Sequence, residues 1–291
     1  MDEGYRVAVV DNLSTGKKEN LNPKAKFYNV DIRDGEKIRR IFEEVKPDYV
    51  NHHAAQIDVR KSIDEPGFDA LTNIIGSINL IEAARKTGVK KFIYISTGGA
   101  IYGEPDALPA DEDTPVRPIS AYGVSKHAVE HYLHLYLHNY KLDYTVLRYA
   151  NVYGPRQDPR GEAGVIAIFT DRMMNGESPV IFGTGEQTRD YVYVGDAVEA
   201  NIRALTGGSG GIFNIGTGVE TSVNTIFSLL SGLMGFKGEM VRSDARKGEV
   251  ERIFLDCARA AGELGWKPSH GLKEGLRKTV EYYKKFPAGK K

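Results

Sequence analysis

Five short apolar segments, separated by longer stretches that include helical patterns, constrain this chain more than any other feature. Residues 6–11 (RVAVVD), 26–31 (KFYNVD), 48–53 (DYVNHH), 91–97 (KFIYIST) and 143–149 (DYTVLRY) are rich in β-branched and aromatic side chains. Strands of that composition suit burial on both faces. Residues 35–45 and 70–86 carry helical patterns, with Gly88 placed as a stop. Strand–helix alternation at this spacing predicts an α/β fold built on a doubly wound parallel sheet. After Asn151 the order loosens, and Gly or Pro interrupts shorter elements at Tyr153-Gly154-Pro155, Gly183-Thr184-Gly185 and Gly216-Thr217-Gly218. The expected division is a sheet domain over 1–154 and a smaller lobe over 155–291, with segments around 190–216 returning to the sheet.

The chain has 291 residues, 41% of them hydrophobic, enough for one large domain or a domain plus a lobe. Formal net charge is zero and the basic residues are dispersed, which argues against nucleic acid or an anionic membrane as the main partner. The one cysteine, Cys257, forms no internal disulfide and builds no cysteine zinc site alone. No apolar run approaches the roughly 18–20 residues of a membrane span. The start (MDEGYRVAVVD) lacks the basic and apolar regions of a signal peptide, so a cytoplasmic protein is the default expectation.

Asp11 closes the first of the five strands and is followed by Asn12-Leu13-Ser14-Thr15-Gly16. An acidic side chain at such a strand tip accepts hydrogen bonds from the adenosine ribose and repels a 2′-phosphate, which favours NAD over NADP. An ordinary Asp at a strand end is an equally open reading. The expected fold is Rossmann-like with its first strand, glycine-rich turn and most of its first helix absent, about 20 residues by the length of those elements. In the strand order 3-2-1-4-5-6 that strand is central, so its absence predicts two unpaired strand edges and weak NAD binding.

Tyr122 and Lys126 stand one helical turn apart. A phenol ionises near 10 and is a poor base at neutral pH; a neighbouring ammonium favours the phenolate. By itself the Y-x-x-x-K spacing is weak, since a chain with 16 tyrosines shows roughly one by chance. Context strengthens it. Ser96-Thr97-Gly98-Gly99 ends a predicted strand at the carboxyl edge of the sheet, where ligands bind in doubly wound folds. A hydroxyl there can hydrogen-bond a reacting sugar oxygen and relay its proton to Tyr122.

The strings 92–103 (FIYISTGGAIYG), 120–126 (SAYGVSK) and 147–155 (LRYANVYGP) resemble the extended short-chain dehydrogenase/reductase family, and within it the UDP-glucose 4-epimerases. Residues 189–194 (RDYVYV) with Asp196, 213–216 (FNIG) and 264–266 (LGW) extend the resemblance over nearly the whole chain. It implies NAD-dependent inversion at C4 of a UDP-hexose (UDP-glucose/UDP-galactose) through a 4-keto sugar, in a homodimer. Thr97, Tyr122 and Lys126 would be catalytic, with Ser96 as second hydroxyl. Asp11, Asn12, Leu13, Ser14, Thr15, Gly16, Asp31, Ile32, His53, Ala54, Ala55, Gln56 and Asn73, together with Tyr122 and Lys126, would line NAD. Asn151, Gly164, Val165, Val180, Ile181, Phe182, Arg189, Arg246 and Glu249 would face the sugar nucleotide beside Thr97 and Tyr122. Guanidinium forks suit a diphosphate, although surface ion pairing is the plainer reading of an arginine.

One departure narrows the chemistry. Related nucleotide-sugar dehydratases carry an Asp-Glu pair after the catalytic threonine; Gly98-Gly99 stands there instead, and epimerisation needs no such pair. A tyrosine that narrows the pocket in relatives aligns with Ile253, which leaves UDP-N-acetylhexosamine as an alternative substrate, with UDP-glucuronate another. A truncated, non-catalytic nucleotide-sugar-binding or dimerisation protein is the alternative of a different class. His127-Ala-Val-Glu130-His131 spells the H-x-x-E-H of inverted zinc peptidases, but His134 and His138 continue the stripe among Tyr132, Leu133, Leu135, Tyr136 and Leu137. A packing helix, paired with its copy in relatives, is the better reading, and no metal is expected. His52 and His53 read as packing or cofactor-contact residues.

Overall fold

The computed structural model describes residues 1–160, 164–245 and 250–287. The chain divides into two compact units, Met1–Ile95 with Ser120–Val146 and Ser209–Gly211, and Ser96–Ile119 with Leu147–Gly208 and Ile212–Lys291.

In the first unit, β1 (Ala8–Asp11) and β2 (Lys26–Asn29) form a parallel pair. Helix α1 (Gly35–Val45) opens on Asp34, whose carboxylate accepts the Lys37 N–H, and buries Ile38, Ile41 and Phe42 at i, i+3 and i+4. After β3 (Tyr49–His52) come α2 (Val59–Asp64) and α3 (Pro66–Ala70). A turn of π-helix, Leu71–Ile75, then leads into α4 (Gly76–Thr87). Gly88 ends α4 in the left-handed conformation at φ +74°, where a side chain would be strained. Helix α1 packs against α4, whose Leu80, Ile81 and Ala84 are buried. The predicted helix over 70–86 is helical throughout, with a π turn at Leu71–Ile75 and Gly88 as its stop.

Strand β4 (Lys91–Thr97) lies parallel to β3, with Tyr49 opposite Lys91 and His52 opposite Tyr94. Helix α5 (Ala121–Tyr140) and β5 (Asp143–Tyr149) follow, with β6 (Asn151–Tyr153) close behind. Sheet order is β3-β4-β5-β9, where β9 is Gly211–Ile215, and the pair β1-β2 is separate from it. This is the parallel, doubly wound arrangement, and no ladder joins β1 to β3 among the described residues.

The second unit adds α6 (Val165–Met174), β7 (Val180–Phe182), β8 (Thr188–Tyr193) and α7 (Val194–Ala204) before β9. Beyond it lie β10 (Glu220–Ser222), α8 (Val223–Met234), β11 (Val241–Ser243), α9 (Ala258–Glu263) and α10 (Leu272–Lys285). Strand β8 stands between antiparallel β10 and parallel β6, while β7 pairs with β11. Helices α6, α8 and α10 close over Phe169, Ile181, Tyr191, Ile226 and Leu276. Trp266 is buried, and its indole N–H donates to the Asp196 carbonyl at 2.9 Å.

Candidate active site

In the first unit, Ser120 caps α5 by accepting the Gly123 N–H at 3.2 Å, which fixes where the helix starts. Tyr122 then falls in the first turn, its own N–H donating to Ser62 Oγ at 3.1 Å. Lys126, one turn on, is 3% exposed, and its Nζ lies 4.3 Å from the centre of the Tyr94 ring. Burial pushes Lys126 down to about 7, while the charges of Glu130 and Asp69 pull the other way. Burial thus loosens the hold of the lysine beside Tyr122 on its proton.

Asn73 sits in the π turn and is buried. It exchanges hydrogen bonds with Gln56: the Gln56 N–H donates to Asn73 Oδ1 at 2.8 Å, and Asn73 Nδ2 donates to the Gln56 carbonyl at 2.9 Å. The same amide reaches Asp69 Oδ2 at 3.0 Å and Ser125 Oγ at 3.2 Å, so it ties the 53–56 segment to α5. His52 is buried. Ser77 Oγ donates to the Asn73 carbonyl, so at 2.8 Å His52 Nε2–H is the donor to that hydroxyl. Desolvation holds this imidazole well below its ordinary pKa, with the Lys126 charge adding to the effect. His53 is exposed and Ala54, Ala55 and Gln56 are half-buried.

At the tip of β1 the loop wraps the Asp11 carboxylate. Leu13 N–H donates to its Oδ1 at 2.6 Å, and a Cβ at Gly16 would lie only 2.8 Å from the same oxygen. Glycine is required there by close approach. Ser14 N–H donates to Asn12 Oδ1, and Asn12 Nδ2 donates to Asp31 Oδ2 at 2.9 Å. Asp31 is also gripped by the Arg33 guanidinium at 2.9 and 2.8 Å, which holds its carboxyl well below the usual carboxylate range. Ile32 is buried under Gly76. A carboxylate wrapped by a loop bearing Ser14 and Thr15 is a donor–acceptor set that fits a ribose diol and repels a 2′-phosphate.

In the second unit, Ser96 and Thr97 end β4, and Gly98 and Gly99 turn beneath the Tyr149 carbonyl, which accepts both their N–H groups at 2.7 and 3.3 Å. A Cβ at Gly98 would meet Leu255 Cδ1 at 2.5 Å, so a side chain there requires Leu255 to shift. At Gly99 it would lie 3.3 Å from Asn151 Oδ1 and 3.9 Å from Thr97 Oγ1. The two predicted site residues Thr97 and Asn151 thus converge over one glycine. Buried Asp190 secures the neighbouring loop, accepting from Thr217 N–H at 2.8 Å, Thr217 Oγ1 at 2.6 Å and Gly218 N–H at 3.0 Å. Asp190→Ala, which orphans these donors, is expected to cost about 3 kcal/mol in urea denaturation. Asp190→Asn, which keeps an acceptor, should cost less; equal losses would refute this account.

Gly164 caps α6 and Val165 begins it. Ile181 points its side chain into the hydrophobic core, while Val180 and Phe182 flank it in β7. Arg189 Nη1 donates to the carbonyls of Thr188 and Glu251, at 2.7 and 3.4 Å. Arg246 and Glu249 lie outside the described residues. Ile253 is buried at 2% exposure. Among the described residues no group of three or more His, Cys, Asp or Glu side chains is placed to hold a metal ion. Sequence reasoning missed Asp69, Tyr94 and Ser62. A Tyr in an apolar strand reads as core, and a Ser or Asp in a short helix gives no periodic signal.

The sequence profile of the NAD dependent epimerase/dehydratase family matches residues 1–216. UDP-glucose 4-epimerase of Mycolicibacterium smegmatis is 45% identical over 97% of this chain and 92% of its own. Among solved structures, UDP-glucose 4-epimerase from Thermotoga maritima with UDP-glucose is 54% identical at TM-score 0.96, covering 98% of this chain and 92% of that one. The Thermus thermophilus UDP-glucose 4-epimerase complex with NAD is 43% identical at TM-score 0.93, covering 97% and 92%.

Proposed function

The chain belongs to the NAD-dependent epimerase/dehydratase family, and from that premise we propose that it interconverts UDP-glucose and UDP-galactose by inverting C4. The observation that carries this reading within the family is the turn after Thr97. Hydroxyls are kept at Ser96 and Thr97, while Gly98 and Gly99, with Leu255 packed close to Gly98, offer no carboxylate for water loss. NAD, when bound, supplies the acceptor and donor of the C4 hydride.

The chain's own residues do the rest. Tyr122 takes the C4 hydroxyl proton as hydride departs and returns it in the second half-reaction. Thr97 hydrogen-bonds the same sugar oxygen, and Lys126 supports the phenolate by its charge. Asp11 holds the adenosine ribose, with Gln56 and Asn73 shaping the wall beside it. Asn151 and Arg189 receive the sugar nucleotide, the guanidinium matching a diphosphate. Residues 1–154 serve mainly the cofactor and 155–291 mainly the substrate, in a cytoplasmic homodimer. No described helix is long and apolar enough to cross a membrane.

The test supplies NAD-loaded protein with UDP-galactose and follows UDP-glucose by coupled oxidation, alongside UDP-N-acetylglucosamine and UDP-glucuronate. Conversion of UDP-galactose is expected to exceed the others. Turnover confined to another UDP-sugar, or to none, would overturn the proposal.

A further inference from the structure

Asp69 lies in α3 at 1% exposure and has no part in the proton steps assigned to Tyr122 and Thr97. Its Oδ2 accepts from Gln56 Nε2 and from Asn73 Nδ2, both at 3.0 Å. These are the two amides that shape the wall beside the cofactor. Asn73 Nδ2 also reaches Ser125 Oγ at 3.2 Å, and that hydroxyl donates to the Tyr122 carbonyl at 3.0 Å. One carboxylate oxygen therefore heads a hydrogen-bonded chain that ends on the backbone of the reacting tyrosine.

The other oxygen points to a second role. Asp69 Oδ1 is buried and has no hydrogen-bond partner. The bonds thus ask for a single acceptor, which a neutral amide or hydroxyl would supply without a charge to desolvate. A buried carboxylate with a bare oxygen is unfavourable unless a cation lies within its field. Lys126 is that cation, itself buried with Nζ over the Tyr94 ring. The charges of Asp69 and Glu130 are the two that favour its protonated form, and Glu130 also contacts His127 Nδ1 at 3.0 Å. The other titratable groups around this ammonium are Tyr122 of its own helix, Tyr94 of β4 and His52 of β3, whose imidazole burial holds neutral.

We infer that Asp69 is a positioning residue for the hydride-transfer site: through Oδ2 it aims the Gln56 and Asn73 amides, and through its charge it keeps the proton on Lys126. On the epimerase reading, which this role rests on and deepens, the ammonium so kept is what supports the Tyr122 phenolate. Asp69 acts through these neighbours and not on the sugar.

Asp69→Asn keeps an acceptor and the shape of the side chain while removing the charge; Asp69→Ala removes both. In full chain labelled with ε-¹³C-lysine, with Lys126→Met to assign the signal, Lys126 is expected to titrate roughly one pH unit lower in Asp69→Asn than in the parent. Side-chain ¹⁵N spectra should show the Gln56 and Asn73 amides nearly unchanged in Asp69→Asn, but shifted and exchanging faster in Asp69→Ala. In NAD-loaded protein, kcat of Asp69→Asn should fall off at lower pH than the parent's, by roughly tenfold above pH 8 and about twofold near pH 6. KM should stay within about twofold. A purely structural Asp69 would lower the melt of both variants and leave the Lys126 titration in place. An unmoved Lys126 titration in Asp69→Asn, or unmoved Gln56 and Asn73 amides in Asp69→Ala, would overturn the proposal. If Asp69→Asn does not fold, Asp69→Ser, a smaller uncharged acceptor, takes the same titration. The spectra need no sugar, so a parent that turns over no UDP-hexose would sink the epimerase reading while the lysine titration still decides the role of Asp69.

Discussion

Tyr122→Phe is expected to lower kcat for UDP-galactose by roughly 10³- to 10⁴-fold, the upper range for losing a positioned acid–base group. The fold should survive. The Tyr122 backbone donates to Ser62 Oγ and accepts from Ser125 Oγ at 3.1 and 3.0 Å. Phenylalanine keeps both bonds. A melt close to the parent's and a KM changed little would show that only the proton step is lost. Turnover within tenfold of the parent would remove Tyr122 from the chemistry.

Lys126→Met should be both inactive and more stable. Burial lowers this lysine from its ordinary 10.5 to about 7, so the folded protein binds a proton there less readily than the unfolded chain. The sign follows directly. Below pH 7 the full cost of burying the charge weighs on the native state. Between pH 7 and 10.5 the unfolded chain holds more protons, so that cost is relieved as pH rises. Methionine packs against Tyr94 without any charge to desolvate, and loses only the cation–π contact. The variant's Tm should exceed the parent's by roughly 5 °C near pH 6, with the gap closing toward pH 10. Calorimetry at several pH values reads this out; a lower Tm for the variant at every pH would refute it. Activity should fall together with that of Tyr122→Phe, since the two residues act as one unit.

These effects expose what the sequence could and could not say. The bounds of α1, β4 and β5 agree with the predicted segments, because apolar periodicity and a capping Asp34 are local signals. The Tyr122–Lys126 spacing was visible for the same reason. The state of Lys126 was not: it depends on Tyr94 beneath it and on the charges of Asp69 and Glu130, from separate parts of the chain. The absence of a carboxylate after Thr97 shows in the letters Gly98-Gly99, but the Leu255 side chain packed against Gly98 lies far along the chain. The side chain of Ile181 lies in the core because an alternating strand gives one face to it, and the letters alone do not say which. The helix read over 70–86 hid its π turn, since one surplus residue leaves the apolar pattern on either side intact.

That surplus residue has a mechanical meaning. A π turn makes room for one more residue than an α-helix would, so it acts as a phase shifter of about 100° between α3 and α4. The two helices can each keep the face their packing demands while Asn73 is aimed separately. Removing a single residue from 71–75 would bring both helices into one phase. Either the face of α4 that carries Leu80 and Ile81 must then leave its place, or Asn73 must turn away from Gln56. The aim of this amide is thus adjustable by one-residue insertion or deletion, a route to altered specificity that no point substitution in the turn reproduces.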